Sequence, residues 1–251
     1  MVGIILAAGD GTRLKNSRKS NRCKPLTEAN KMPLIVFSLE NLRKLKAERA
    51  CIVVGKEAEQ VKQAIGNTYK GLAVQYILQP EPKGLIHALM CAVTAREIDE
   101  PIVLQLADEI FINLKTERIL QCIHAGEYDF FCGVTPEDDP AKIKANYAVR
   151  TDADSILRSC EEKPAVVVNN MKGTGLCFFG RNALRLLKRR YCPESNCPRE
   201  LCDYMNLLIG EGQRGLVLPV GEKEFNINTE AELTEAEMAL QAVCHEKARI
   251  L

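Results

Sequence analysis

The chain begins Met1-Val-Gly-Ile-Ile-Leu-Ala-Ala-Gly-Asp-Gly-Thr-Arg-Leu14, an apolar run that leads directly into a glycine-rich turn. Residues 3–8 predict a buried strand, because apolar and small residues follow one another there without a charge. Gly9 and Gly11 lack a Cβ, so a turn at the end of this strand can bring backbone N–H groups against phosphate oxygens. The spacing is neither that of a P-loop nor that of a dinucleotide fingerprint, since G-x-x-x-x-G-K-[ST] and a third glycine are both absent.

A basic segment follows the glycine turn. Six cations fall within twelve residues, with no acidic side chain between them: Arg13, Lys15, Arg18, Lys19, Arg22 and Lys24. Charged runs are usually solvated surface, but this run is attached to a glycine turn at a strand end. That position favours the binding of a polyphosphate, whose negative charge the cations would neutralise.

The first half of the chain alternates apolar strands with amphipathic helices. The predicted strands cover residues 3–8, 51–54, 74–78 and 101–106, and the predicted helices cover residues 33–46, 57–65 and 84–95. Alternation of this kind predicts a mostly parallel sheet with helices on both faces. Ligands of such sheets bind at the carboxyl ends of the strands, where the glycine turn also lies.

The second half is richer in strands. Strands are predicted at residues 129–134, 146–150, 155–161 and 173–179, and helices at residues 182–190 and 199–210. A last helix is predicted to start at Thr229, because Glu232 three residues later completes a capping box. The whole pattern predicts a single domain, residues 1–251. Its fold class is Rossmann-like three-layer α/β/α, with a mixed, mostly parallel central sheet and a small β-rich subregion.

Composition excludes several classes of protein. The 251 residues carry a net charge of +1, with 27% charged and 46% hydrophobic residues, which is ordinary for a globular protein. Such balanced charge argues against a dedicated nucleic-acid binder, which usually has a basic surplus. The N-terminus lacks the features of a signal peptide, and its apolar run is too short to span a membrane, so we expect a cytoplasmic protein.

Eleven cysteines are present, and without an export signal we expect them to be reduced. Cys192, Cys197 and Cys202 are five residues apart, which is not the paired C-x-x-C spacing of a metal or redox site. We therefore favour a proline-containing loop that leads into a helix. The three histidines are given no chemical role, although His87 would lie on the helix that begins near Gly84.

The glycine turn belongs to a longer set of motifs. Residues 6–14, followed by Lys24-Pro25-Leu26, resemble the signature of the sugar-1-phosphate nucleotidylyltransferases. Further segments resemble motifs of the same family, in the same order: residues 79–85 (QPEPKGL), 107–111 (ADEIF), 146–149 (NYAV), 161–164 (EEKP), 173–176 (GTGL) and 226–229 (NINT). The resemblance covers nearly the whole chain, and the ordered set is specific for this superfamily.

The resemblance implies a role for each motif. The nucleotide would be bound by Leu6, Ala8, Gly9, Gly11, Thr12, Gln79 and Gly84. The catalytic cations would be Arg13 and Lys24 on the triphosphate and Lys163 on the acceptor phosphate. The acceptor would also contact Asn146, Tyr147, Glu162 and Gly175, and Mg²⁺ would be held by Asp108 and Asn226. Residues 1–125 would then form the nucleotide-binding half and residues 126–251 the acceptor-binding half.

The implied reaction transfers a nucleoside monophosphate from a nucleoside triphosphate to a small phosphorylated acceptor, most simply a sugar 1-phosphate, and releases pyrophosphate. Two positions depart from the family, because Glu109 stands where Asn is common and Asn226 where Asp is common. A cytidylyltransferase acting on a phosphocholine-like phosphate or a phosphonate is the main alternative. A molybdenum-cofactor guanylyltransferase and a non-catalytic regulatory homologue are weaker ones. The base stays open, because Gln79 can present either edge of its amide, and self-association into a homo-oligomer also stays open.

Overall fold

The computed structural model describes residues 1–9, 23–192 and 198–250, with side chains up to residue 245. The first half contains strands β1 (Val2–Ala7), β2 (Glu28–Ala29), β3 (Met32–Pro33), β4 (Arg49–Val54), β5 (Thr68–Tyr69), β6 (Leu72–Leu78), β7 (Ile102–Leu106) and β8 (Glu109–Ile112). Its helices are α1 (Leu34–Lys44), α2 (Ala58–Ile65), α3 (Leu85–Ala95) and α4 (Thr116–Ala125), and a single 3-10 turn covers Lys24–Leu26. The alternation predicted from the sequence is therefore present, together with several short elements that were not predicted.

The second half contributes six strands and four helices to the described part of the chain. The strands are β9 (Phe130–Pro136), β10 (Tyr147–Thr151), β11 (Leu157–Glu162), β12 (Met171–Phe179), β13 (Gly215–Pro219) and β14 (Lys223–Asn226). The helices are α5 (Pro140–Lys144), α6 (Arg181–Arg190), α7 (Leu201–Gly210) and α8 (Glu230–Ile250). Among these, α5, β13 and β14 were not predicted.

Strand β1 lies near the middle of the main sheet and is completely buried. It pairs in parallel with β4 on one side and β7 on the other, and β6 pairs in parallel with β4. Both faces are covered, which explains why these strands are continuously apolar in sequence. Helices α3, α6 and α7 pack on one face and α1, α2 and α4 on the other. The predicted three-layer α/β/α fold is confirmed.

The β-rich half extends the same sheet. Strand β12 pairs antiparallel with β7 through residues 177–179, and also pairs with β9 and β10. The main path of the sheet is β11-β10-β12-β7-β1-β4-β6-β5, and β9 and β13 branch from β12. Within the main sheet, the second half of the chain is thus joined to the first through one strand pair, β7 and β12.

A separate two-stranded ribbon joins the two halves at a second place. Strand β8 pairs antiparallel with β14, so that Glu109 lies opposite Asn226. Helix α8 packs on this ribbon through Leu233 and Ala236, which form a small core with Ile110 and Phe225. The capping box predicted for this helix is present, since Glu232 accepts hydrogen bonds from the Thr229 backbone N–H and hydroxyl.

Further expectations concerned the cysteine cluster, a metal site built from His, Cys, Asp or Glu, and a membrane span. Cys202 is buried in α7 and Cys192 is exposed, whereas Cys197 lies outside the described residues. Across the ranges that the structure describes, no group of three or more His, Cys, Asp or Glu side chains could hold a metal ion. Within the same ranges, no helix is both long and apolar enough to cross a membrane.

Candidate active site

A cavity of about 420 Å³ opens at the carboxyl ends of β1, β6 and β7. Seven of the residues predicted for the site line it: Leu6, Ala8, Gly9, Lys24, Gln79, Gly84 and Asp108. Glu200 and Asn228, which the sequence did not single out, line it as well. Gly11, Thr12, Arg13 and the tip of the basic segment lie outside the described residues. The fold therefore brings residues from six separate segments to the position where a parallel sheet binds its ligands.

Lys24, the one cation among the described residues that line this cavity, lies between two oxygen atoms. The ammonium group of Lys24 contacts the carboxylate of Asp108 and donates a hydrogen bond of 2.9 Å to Oδ1 of Asn228. Asp108 follows β7, and its backbone oxygen accepts a hydrogen bond of 2.9 Å from the Ile227 N–H, which fixes the end of β14 beside it. A carboxylate and an amide oxygen are ligands that hard divalent cations prefer, and here they already converge on one positive charge.

Asn228 is oriented by a chain of amide side chains. Its Nδ2 donates to Oδ1 of Asn226 at 2.9 Å, and Nδ2 of Asn226 donates to Oδ1 of Asn146 at 3.3 Å. Because the Asn228 amide nitrogen donates to Asn226, the other end of the same amide, its oxygen, is turned towards Lys24. Asn226, the predicted metal ligand, is not among the residues that line the cavity and contacts Asn228 instead. The Asn-x-Asn spacing in an extended segment is the sequence signal for this pair, since alternate residues share a side.

The opposite wall of the cavity is formed by Gln79 and the start of α3. The backbone N–H of Gln79 donates to the Val54 oxygen at 2.8 Å, which fixes its position at the edge of the sheet. Its side-chain Nε2 lies 2.8 Å from Nδ1 of His87 and 3.3 Å from the backbone oxygen of Gly84. Gly84 has a φ of +100°, and a Cβ there would lie 2.8 Å from the Arg199 backbone oxygen, so only glycine fits.

The predicted acceptor residues lie in or beside β10, β11 and β12, and none of them lines this cavity. Tyr147 is buried and donates a hydrogen bond of 2.8 Å to the Thr174 oxygen, so its hydroxyl supports β12. Gly175 donates its N–H to Oε1 of Glu109 at 2.6 Å. Glu162 and Lys163 form a loose pair, 3.9 Å between Oε1 and Nζ, with the lysine side chain exposed. Burial raises the pKa of Glu162, and the nearby Glu200 carboxylate adds to this shift.

Three buried charged residues lie on β12 and on the two ribbon strands next to Asp108 and Asn228: Lys172, Glu224 and Glu109. Nζ of Lys172 lies 2.8 Å from Oε2 of Glu224, an ion contact without hydrogen-bond geometry, and donates to the Glu224 backbone oxygen at 2.7 Å. Burial raises the pKa of Glu224, although the Lys172 ammonium opposes that shift. Burial also raises the pKa of Glu109 well above its usual range, and the Glu224 carboxylate contributes to the rise. Lys172 thus connects β12 to β14, which leads to Asn226 and Asn228.

Comparison with known proteins identifies the family. Residues 2–221 match the family model described as Nucleotidyl transferase. The chain belongs to the nucleotidyl transferase family. It is therefore an enzyme of the nucleotidyltransferase class, as its motifs predicted, and members of this family generally use a divalent metal.

Relatives within the nucleotidyl transferase family differ in their substrates. The chain is 28% identical over 244 residues to UTP--glucose-1-phosphate uridylyltransferase AglF of Haloferax volcanii, covering 96% of this chain and 97% of that protein. It is 27% identical over 154 residues to CMP-5'-(3-aminopropyl)phosphonate synthase of Streptomyces rubellomurinus, covering 61% of this chain and only 23% of that protein. A crystal structure of UDP-glucose pyrophosphorylase complexed with UDP-glucose superimposes with a TM-score of 0.80 at 18% identity, over 96% of this chain and 98% of that one. This structural likeness concerns the fold.

Proposed function

We propose that this nucleotidyltransferase transfers a nucleoside monophosphate from a nucleoside triphosphate to a sugar 1-phosphate, yielding a nucleotide sugar and pyrophosphate. The observation that carries the proposal is the Lys24 ammonium between Asp108 and Asn228 at the mouth of a cavity lined by Gly9 and Gln79. Full-length similarity to a uridylyltransferase for glucose 1-phosphate supports a sugar acceptor. The similarity to a phosphonate cytidylyltransferase covers a smaller part of the chain.

Mg²⁺ is the metal that we propose for this site. Asp108 and Asn228 would hold it, because their oxygens are of the kind that it prefers and already face one cation. When bound, it would polarise the reacting phosphates and neutralise their charge. Asn226, predicted as a ligand from the sequence, would act by holding the Asn228 amide.

The remaining chemistry would come from positioning and charge. An acceptor phosphate oxygen attacks the α-phosphorus, and pyrophosphate leaves on the opposite side, so two anions must be brought together. Lys24 would pair with the triphosphate, joined by Arg13 as the sequence predicts, and Lys163 would attract the acceptor phosphate from its exposed position beside β11. The shape of the site would come from other residues. Gly9, which follows β1, would leave room for phosphate oxygens against the backbone. Tyr147 would shape the acceptor pocket through its support of β12, and Gly175 would allow the acceptor to approach closely. The division into a nucleotide half and an acceptor half and the cytoplasmic location stay predictions.

A screen of pyrophosphate release tests this function. The five common triphosphates would each be combined with glucose 1-phosphate, N-acetylglucosamine 1-phosphate, phosphocholine and 3-aminopropylphosphonate, with Mg²⁺ and with excess chelator. We expect release with a sugar 1-phosphate, dependence on Mg²⁺, and loss of nearly all turnover in Asp108→Ala. Release only with phosphocholine or the phosphonate would replace the sugar acceptor, and activity unaffected by Asp108→Ala would remove the metal assignment.

A further inference from the structure

Gln79 is fixed by one backbone hydrogen bond and two contacts of its side-chain amide. Its backbone is bonded to β4 through the Val54 oxygen, and its Nε2 contacts both the Gly84 oxygen and Nδ1 of His87. The Gly84 oxygen can only accept a hydrogen bond, so the group that faces it must be the amide nitrogen. The second hydrogen of that nitrogen then points to His87, at a distance of 2.8 Å.

This arrangement also assigns the roles of the His87 ring. Nδ1 must accept the hydrogen bond from Gln79, which leaves the proton of the neutral imidazole on Nε2. Nε2 lies 3.8 Å from Sγ of Cys91, one helical turn further along α3, where sulfur can serve as a weak acceptor. His87 is therefore held in one tautomer between Gln79 and Cys91.

We propose that His87 is a positioning residue that determines which base the site accepts. With both amide hydrogens engaged, Oε1 is the atom of Gln79 left for a ligand, and no partner for it occurs in residues 1–9, 23–192 and 198–250. Gln79 lines the cavity together with Gly84. The inference rests on the proposed function, since it assumes that this wall faces the base of the triphosphate.

A lone acceptor oxygen selects for a donor on the base. Uracil and thymine present a ring N–H at N3, and guanine presents one at N1, whereas cytosine and adenine carry a lone pair at the corresponding ring nitrogen. Cytosine and adenine carry their N–H donors on an exocyclic amino group, displaced from the ring nitrogen, so an oxygen aimed at the ring nitrogen disfavours them. The inferred substrate class is therefore a triphosphate whose base has a ring N–H. Without the 2.8 Å contact to His87, only the longer contact of 3.3 Å to the Gly84 oxygen opposes a half-turn of the Gln79 amide. The amide could then offer its nitrogen to cytosine instead.

Equilibrium binding tests this inference without knowledge of the acceptor. Dissociation constants for UTP, CTP and N3-methyl-UTP would be measured by calorimetry with Mg²⁺ for the wild type and for His87→Ala, His87→Asn and His124→Ala. Asparagine can place Oδ1 near the position of Nδ1 and restore the acceptor. His124 lies on α4, away from the cavity, and serves as the matched histidine control.

We expect the wild type and His124→Ala to bind UTP about tenfold or more tightly than CTP or N3-methyl-UTP, as for one unsatisfied buried hydrogen bond. His87→Ala should bring the UTP and CTP constants within about threefold of each other, and His87→Asn should restore most of the preference. A general loosening of the fold would weaken both nucleotides equally and leave their ratio unchanged. An unchanged ratio in His87→Ala, or a wild type that prefers CTP, would overturn the role of His87. If the wild type binds none of the three nucleotides, dTTP, GTP and ATP are titrated in the same way. Tight binding of dTTP or GTP supports the class with a ring N–H, binding of ATP alone overturns this inference while leaving the proposed function, and binding of no triphosphate removes both.

Discussion

Replacing Lys172 by Met removes the only cation that contacts the buried Glu224 carboxylate among the described residues. The methionine keeps most of the volume, so two losses dominate, and a longer ion contact of 3.8 Å with Glu137 is lost as well. The hydrogen bond of 2.7 Å to the Glu224 backbone oxygen is lost, which costs about 1 kcal/mol of stability and does not depend on pH. The carboxylate also loses its ion pair at 2.8 Å while its side chain is 0% exposed.

A buried carboxylate without a partner cation can take up a proton and become neutral. The free energy of that protonation is therefore the largest amount of stability that loss of the ion pair can cost. Starting from the ordinary glutamate value of 4.5, protonation at pH 7 costs about 3.4 kcal/mol. The wild-type pKa of Glu224 is already raised by burial, so part of that cost is present before the substitution. We therefore expect Lys172→Met to lower the free energy of unfolding by about 2–4 kcal/mol in total at pH 7.

The sign of the pH dependence follows from the raised pKa. Above pH 4.5 the unfolded chain releases the Glu224 proton while the folded variant keeps it, so the folded state is disfavoured as pH rises. The difference from wild type should grow with pH, by at most about 1.4 kcal/mol per unit. Lys172→Met/Glu224→Gln should lose the part of this dependence that comes from Glu224. It should retain the cost of the missing hydrogen bond and of the longer contact with Glu137. Urea unfolding between about pH 5 and pH 8 measures all three proteins. A Lys172→Met penalty that is the same at both ends of this range would refute the reasoning.

Three further outcomes are expected from the active site. Lys24→Met should lower kcat about 100-fold, measured as steady-state pyrophosphate release. The same variant should bind Mg²⁺ more tightly in the absence of nucleotide, because Asp108 loses its ion pair. Weaker Mg²⁺ binding in a metal titration would contradict the assignment of Asp108 as a ligand. Asn228→Ala should raise the Mg²⁺ concentration for half-maximal rate more than Asn226→Ala does, and the reverse order would restore the sequence-based ligand. Gly173→Ala should destabilise the fold by about 1–3 kcal/mol in urea unfolding, because its Cβ would lie 2.1 Å from the Tyr147 ring; a neutral result would mean that the ring can shift.

The elements predicted from sequence share one physical property. Strands β1, β4 and β7 are buried on both faces, so their sequences are continuous apolar runs that period and length alone identify. Strand β14 reads Lys-Glu-Phe-Asn and was missed, because the residue that it buries beside Phe225 is a glutamate paired to Lys172. Helix α4 was missed because Ile119 is its only fully buried residue, which leaves a weak apolar stripe.

The candidate site shows a similar division. Ordered motifs predicted Lys24, Gln79 and Asp108, and the fold brings all three to one cavity. Asn228 and His87 were not predicted, because their roles depend on partners more than a hundred residues away or on the rotation of one amide. A lone histidine on a helix carries no sequence signal for such a contact. Both roles depend on contacts made in the folded structure, which the neighbouring residues in the sequence do not indicate.

The ribbon of β8 and β14 has a consequence for how the protein becomes active during its synthesis. Gly9, Gln79 and Asp108 are synthesised well before residue 228, and Asn228 reaches Lys24 across a separation of 204 residues. The ribbon cannot pair until residues 223–226 have been made. The oxygens proposed for the metal, on Asp108 and Asn228, can therefore come together only after residue 228 has been synthesised. A nascent chain that stops before residue 200 would also lack Glu200, which lines the cavity, and could not hold the metal in the proposed way.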